Sequence, residues 1–164
     1  MPIPDFIVSL RSKIGRDQLW LPGVSIVVLD ETDRVLLGRR ADNGRWGVIS
    51  GIPEPGEQPA AAALRECIEE TGVDPDILGV CRVLAEKPLT FPNGDRCVFM
   101  DTTFVARARP EAAARAHVGD EESTAVGWFA LTDLPEPLVT TTPPRIEAAL
   151  DWLADPVRAA RFVR

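Results

Sequence analysis

The sequence predicts an α/β fold built on a mixed central sheet. Three observations carry this. A β-branched apolar run, Val24 to Leu29, is followed after a short polar turn by a second, Val35 to Arg39. A helix-periodic segment, Gln58 to Thr71, is bounded by proline at its start and glycine past its end. Strand-like runs then resume and lead to a closing helical segment. Strands before and after a helix, rather than runs of one kind, are the pattern of an α/β domain.

In chain order, Asp5 to Leu19 carries Phe6, Ile7, Leu10 and Ile14 at helical intervals. It predicts a helix over about 5–19 that ends near Pro22-Gly23. Val24 to Leu29 is a buried strand, Asp30 to Asp33 a turn, and Val35 to Arg39 the returning strand of a hairpin. Trp46 to Ile49 is a short extended piece. In the helix from Gln58 to Thr71, Pro59 falls in the first turn, where its missing N–H is harmless, and Gly72 suits the left-handed position past the end. Gly79 to Glu86, Cys97 to Ala106 and Val126 to Phe129 read as strands, and Pro144 to Leu153 as a helix. Between them, Pro110 to Ser123 is alanine-rich but turn-laden and fits either a helix or an excursion.

A chain of 164 residues, 45% hydrophobic and 26% charged, is long enough for one domain with a substantial core, and no repeat or linker divides it. We therefore expect a single domain over 1–164. The net charge of -7 opposes nonspecific nucleic-acid binding, which needs a basic face. A small phosphorylated substrate is still compatible, because a bound cation reverses the local field. Cys67, Cys81 and Cys97 have neither zinc nor redox spacing and are expected as reduced, buried thiols of a cytoplasmic protein. The charged N-terminal stretch is neither a signal peptide nor a membrane span.

One helix departs from its local rules. On the wheel of Pro59 to Thr71, Ala60, Ala61, Leu64, Cys67 and Ile68 share a side suited to the sheet, and Glu66, Glu69 and Glu70 cluster on the other. Like charges at i,i+4, as in Glu66 and Glu70, destabilise a helix by about 0.2–0.5 kcal/mol. The C-terminal half also disfavours anions through the helix dipole. Arg65 pairs with at most part of this charge. A solvated acidic face is the plain explanation of such a cluster; a hard cation that takes carboxylate oxygens is the functional one.

The residues that decide between them read GIPEPGEQPAAAALRECIEETGV from Gly51 to Val73. This segment resembles the Nudix box, G-x5-E-x7-R-E-U-x-E-E-x-G-U, with U a bulky aliphatic residue. Gly51, Glu57, Arg65, Glu66, Glu69, Glu70, Gly72 and Val73 match, and Cys67 stands at the first aliphatic position. The preceding strand pair, Trp46 and the WFALTDLP segment from Trp128 extend the likeness.

The resemblance implies a Nudix-type α/β/α sandwich that uses Mg²⁺, with Mn²⁺ as a substitute. It implies Glu66, Glu69 and Glu70 as metal ligands, with the carbonyl of Ser50 as a further one. Glu57 would lie near them or pair with Arg65, which orients the acids, and Gly51 and Gly56 would supply backbone freedom. The general base is Glu69 in first place and Glu122 in second, the latter with Glu121 on a loop before the Val126 strand. Arg39 and Arg40 could meet substrate phosphates or be solvated strand-end charges. His117 fits a surface role. The tryptophans fit the core or its margins, and Trp20 or Phe91 are candidates for stacking on a base.

Pro88 stands fifteen residues beyond Val73, as in family members that prefer ADP-ribose, and the chain has no tyrosine, which the diadenosine polyphosphate subset carries. The expected substrate is thus ADP-ribose or a related nucleoside diphosphate derivative. The alternatives are a nucleoside triphosphate pyrophosphatase that clears oxidised or noncanonical nucleotides and a non-catalytic nucleotide-sensing module. The expected partner is a small nucleotide, with no nucleic acid and no membrane. A homodimer is common in similar enzymes, and the N-terminal helix would serve it, cover the sheet or close over substrate.

Overall fold

The computed structural model describes residues 4–91 and 93–157, and the backbone of 161–162. In chain order the elements are α1 (Asp5–Ile14), β1 (Leu19–Leu29), β2 (Val35–Arg40), β3 (Trp46–Gly47), β4 (Ile49–Gly51), α2 (Pro59–Thr71), β5 (Asp76–Ala85), β6 (Leu89–Thr90), β7 (Arg96–Arg107), α3 (Pro110–Ala113), β8 (Ser123–Phe129), α4 (Thr142–Ala154) and β9 (Arg161–Phe162). Among the described residues the strands form one mixed sheet with the order β3-β2-β1-β7-β5-β9. β4 pairs with β1, β6 with β7 and β8 with β2. β1 and β7 run parallel from Leu19 opposite Cys97 to Leu29 opposite Arg107, and the other pairs on the site side are antiparallel.

Helices cover both faces, as an α/β/α sandwich requires. Alternation along β1 assigns Val24, Ile26 and Val28 to one face. There they meet Phe104 and Ala106 of β7 and Ala62, Ala63 and Cys67 of α2. Val27 and Leu29 face the other side, with Val105, Ile146, Ala148 and Ala149 under α4. A strand covered on both faces reads as a continuous apolar run rather than an alternating one, as Ile26 to Leu29 does. Ile7 of α1 packs with Leu19, Leu21 and Cys97, so the N-terminal helix covers the start of the central pair. All three cysteines are buried and none is in a disulfide. No helix among the described residues is long and apolar enough to cross a membrane.

Several boundaries differ from the sequence expectation. The first helix ends at Ile14 rather than Leu19, because Gly15 takes a left-handed φ of 59° and its N–H closes on the Arg11 carbonyl. The following strand begins at Leu19 and passes through Pro22-Gly23 instead of starting after it. Pro22 is tolerated because β4 flanks β1 only from Val24 to Ile26, so the missing donor falls where β1 has one neighbouring strand. β5 begins three residues before Gly79, β8 reaches back to Ser123, and β6 and β9 are added edge pieces. The stretch from Pro110 to Ser123 is one helical turn followed by an excursion.

The assignment of faces on α2 also changes. Ala61 and Ile68 are exposed, whereas Glu66 and Glu70 are buried beside Ala62, Ala63 and Cys67. A helical wheel knows the period of a helix but not its neighbours. Here β4 on one side and the excursion after α3 on the other cover the flank that carries the two acids.

Candidate active site

β4 leads through residues 52–58 into α2, and this loop is held by one guanidinium. Gly56 takes φ 89°, a left-handed conformation. Glu57 then points back to Arg65, whose Nε and Nη2 donate to the two carboxylate oxygens at 2.9 and 3.0 Å. Glu57 also accepts the Glu54 N–H at 2.9 Å. The Arg65 hydrogen bonds hold the Glu57 carboxyl below its ordinary range. The remaining Nη1 of Arg65 lies 3.0 Å from Glu69 and 3.1 Å from Glu66. Arg65 therefore ties the loop to the helix and orients two acids, with a fork that a lysine could not reproduce.

Glu66 lies against Gly51. A Cβ at position 51 would overlap the Glu66 carboxylate, so glycine is needed there for close approach rather than for an unusual φ. Burial pushes the Glu66 carboxyl up to about 7, with the neighbouring Glu122 and Glu69 adding to the rise and Arg65 opposing it. Burial pushes Glu70 up to about 8. Glu122, Glu66 and Asp120 add to that rise, while Arg40 opposes it. Glu69 is the solvent-facing member, its side chain 54% exposed.

The structure thus brings together Glu66, Glu69 and Glu70 from one helix and Glu122 from a distant loop. Arg40 joins them: its guanidinium pairs with Asp42 at 2.9 and 2.8 Å and feels Glu70 and Glu122. Arg39, across the pleat, donates to the Gly44 carbonyl at 3.1 Å and is held on the neighbouring turn. Ser50 sits in β4 opposite Ser25, one residue from the Gly51 that cradles Glu66. Glu121 is exposed on the loop. His117 is exposed and packs over Gly72. Trp20 is 63% exposed and lines a cleft of about 300 Å³ with Pro22, Pro53, Pro59 and Met100, at the start of α2. Trp46 packs edge-on against Phe129 with centroids 4.9 Å apart.

Two members of the site escaped the sequence reading. Asp42 fixes Arg40, and its signal was its place in the turn that follows the strand. Asp120 adds charge beside Glu70 and precedes Glu122 by two residues; its signal was the turn-forming pair Gly119-Asp120.

Chemically, the donors are hard oxygens with an excess of negative charge held out of water. Two carboxyls with affinities for protons near neutrality mark a place where a cation would be favoured over bare ionisation. Among the described residues no three acids stand at the mutual spacing of a closed metal cage. The donor set fits a hard divalent cation, which the buried Glu66 and Glu70 would hold.

Comparison with known proteins identifies the family. A family model described as the NUDIX domain matches residues 19–153. A MutT-like protein of Streptomyces ambofaciens is 31% identical over 136 residues, which cover 83% of this chain and 80% of that protein. A nucleoside triphosphate pyrophosphatase/Nudix hydrolase fusion protein of Bifidobacterium longum is 30% identical over 118 residues, 70% of this chain but 23% of the fusion. Among solved structures, a MutT NUDIX hydrolase from Burkholderia pseudomallei superposes with a TM-score of 0.61 at 27% identity, covering 79% of this chain and 98% of that one.

Proposed function

The chain belongs to the NUDIX domain family of pyrophosphohydrolases, and from that premise we propose that it is a Mg²⁺-dependent hydrolase of ADP-ribose or a related nucleoside diphosphate derivative. Mn²⁺ is a workable substitute. The observation that carries the reading is the meeting of buried Glu66 and Glu70 with Glu122 on the flank of α2.

Glu66, Glu69 and Glu70 would hold the cation, with the Ser50 carbonyl as a further donor. When bound, the cation offsets the charge of the diphosphate and lowers the pKa of attached water. Glu69 takes the proton of the attacking water with the oxygen that Arg65 leaves uncovered, and Glu122 is the second candidate for that role. Arg40, already braced by Asp42, meets a phosphate oxygen as the substrate enters. Arg65 and Glu57 keep the loop in register with the helix, so these groups need little reorganisation during the reaction. The exposed face of Trp20 offers a stacking surface for the base.

The choice of ADP-ribose rests on Pro88 at its distance from the end of the box. A second reading, hydrolysis of noncanonical nucleoside triphosphates, is supported by 39% identity over 54 residues to a putative 8-oxo-dGTP diphosphatase of Bacillus subtilis, 33% of this chain and 36% of that protein. One assay separates them: the purified chain is incubated with nucleoside diphosphate sugars and triphosphates, with Mg²⁺ and with chelator. Metal-dependent AMP and ribose phosphate from ADP-ribose supports the first reading. Nucleoside monophosphate and pyrophosphate from a triphosphate replaces it with the second. Tight metal binding without turnover of any compound would make the chain a sensing module.

A further inference from the structure

Residues 114–122 end α2 as well as deliver Glu122. The last carbonyls of a helix lack intrahelical donors and must find others. In α2 the Ile68 carbonyl is closed by the Gly72 N–H at 2.8 Å, but the Glu70 and Thr71 carbonyls accept from Gly119 and His117, at 2.9 and 3.0 Å. The excursion is thus hydrogen-bonded to the last of the acids on α2 and to the residue that follows it. Its approach is close: a Cβ on Gly119 would overlap the Glu69 carbonyl oxygen and stand 3.1 Å from the Glu70 carbonyl carbon. These are backbone atoms of a helix and cannot turn aside.

From this dock the chain reaches Glu122 in three residues, and both backbone ends of Glu122 are held. Its N–H donates to the Asp120 carboxylate at 2.9 Å, and its carbonyl accepts from the Ala41 N–H at 2.7 Å. Upstream, the Trp128 indole N–H donates to the Ala113 carbonyl at 3.1 Å, which pins the start of the excursion to β8. The separation between Glu122 and the acids of α2 is therefore set by the end of α2 itself.

We infer that Gly119 and Asp120 are positioning residues, whose docking of residues 114–122 on the C-terminus of α2 holds Glu122 in register with Glu66 and Glu70. Neither residue touches substrate; both act through Glu122. The inference rests on the proposed role of Glu122 at the site.

A double-mutant cycle on the full chain tests it. The variants are Gly119→Ala, Glu122→Gln and their combination. Mn²⁺ affinity is read by electron paramagnetic resonance without substrate, and kcat is read at saturating metal. Glu122→Gln identifies which of the two quantities Glu122 controls. In that quantity Gly119→Ala is expected to lose about ten-fold or more, and the double variant to be no worse than the worse single one. Equal losses that multiply in the double variant would make Gly119 merely structural and overturn the inference. A Gly119→Ala protein that matches wild type while Glu122→Gln fails would overturn it too and leave the proposed function standing. If Glu122→Gln changes neither quantity, the role of Glu122 and the inference fall together. Asp120 supplies an arm that survives a misfolded Gly119→Ala, which circular dichroism would reveal. Asp120→Ala should lose what Glu122→Gln loses, and Asp120→Asn, which keeps the acceptor, should recover it. An Asn variant as poor as the Ala one would assign the effect to charge and overturn the positioning role.

Discussion

At the scale of single residues, the site stores unfavourable charge. Glu66 and Glu70 have carboxyl affinities raised by burial to about 7 and about 8, above the ordinary 4.5. A carboxyl raised on folding stabilises the fold in its protonated form. That contribution is complete below 4.5 and is lost as pH rises through 7 and 8. Glu57, Asp30 and Asp42 are shifted the other way, so their contribution is in place above their ordinary range and does not oppose this window. In chelator, the melting temperature should therefore fall between about pH 5 and about pH 9. Excess Mg²⁺ should offset much of that fall by binding the folded form alone. A melting temperature that climbs over this interval in chelator would contradict the buried-acid account. Glu69→Gln asks a different question, because that side chain is half exposed and its hydrogen bond is to Arg65. Turnover should drop at least ~100-fold with an unchanged circular dichroism spectrum; full activity would remove Glu69 from the mechanism.

At the scale of elements, α2 is defined at its two ends by different physics. Pro59 opens it without needing a partner, and Gln58 provides no side-chain cap. Gly72 closes it in the left-handed region, φ 69°, with the His117 ring lying where a Cβ would go. Gly72→Ala should lower stability by about 1–2 kcal/mol from the backbone conformation alone, with more lost if His117 cannot move. Urea unfolding measures this, and a neutral result would mean that the helix end relaxes into another cap. The cap and the proline were legible in the sequence because both act within a few residues. The length of β1 was not legible, since Pro22-Gly23 looks like a break until β7 is placed beside it.

At the scale of the whole molecule, the second face of the sheet carries a buried ion network that joins α4 to β5 and β7. Asp101 accepts from Ser25 and Thr103, each at 2.7 Å, and faces Arg82 at 3.4 Å and Arg145 at 3.2 Å. Glu86 meets the same two arginines at 3.0 and 3.3 Å. Removing one partner from a buried network leaves charge uncompensated, so Arg145→Ala should cost about 3 kcal/mol in urea unfolding. A loss under about 1 kcal/mol would mean that the network behaves as a solvated surface pair. The network was not visible in the sequence, because Arg145 stands 44 to 63 residues from Asp101, Glu86 and Arg82 and no local period spans that distance. The sequence by itself determined the elements and the box: apolar runs, helical period, Pro59, Gly72, and three acids within one turn and a half of one helix. Those signals are local, and short-range sterics and burial preference are enough to write them. Only the tertiary structure decided that Glu66 and Glu70 are buried and that Arg40 and Glu122 stand beside them. Those outcomes depend on which surfaces cover α2, and that is settled by chain segments far away in sequence that meet there only when the sheet closes over its two helical layers.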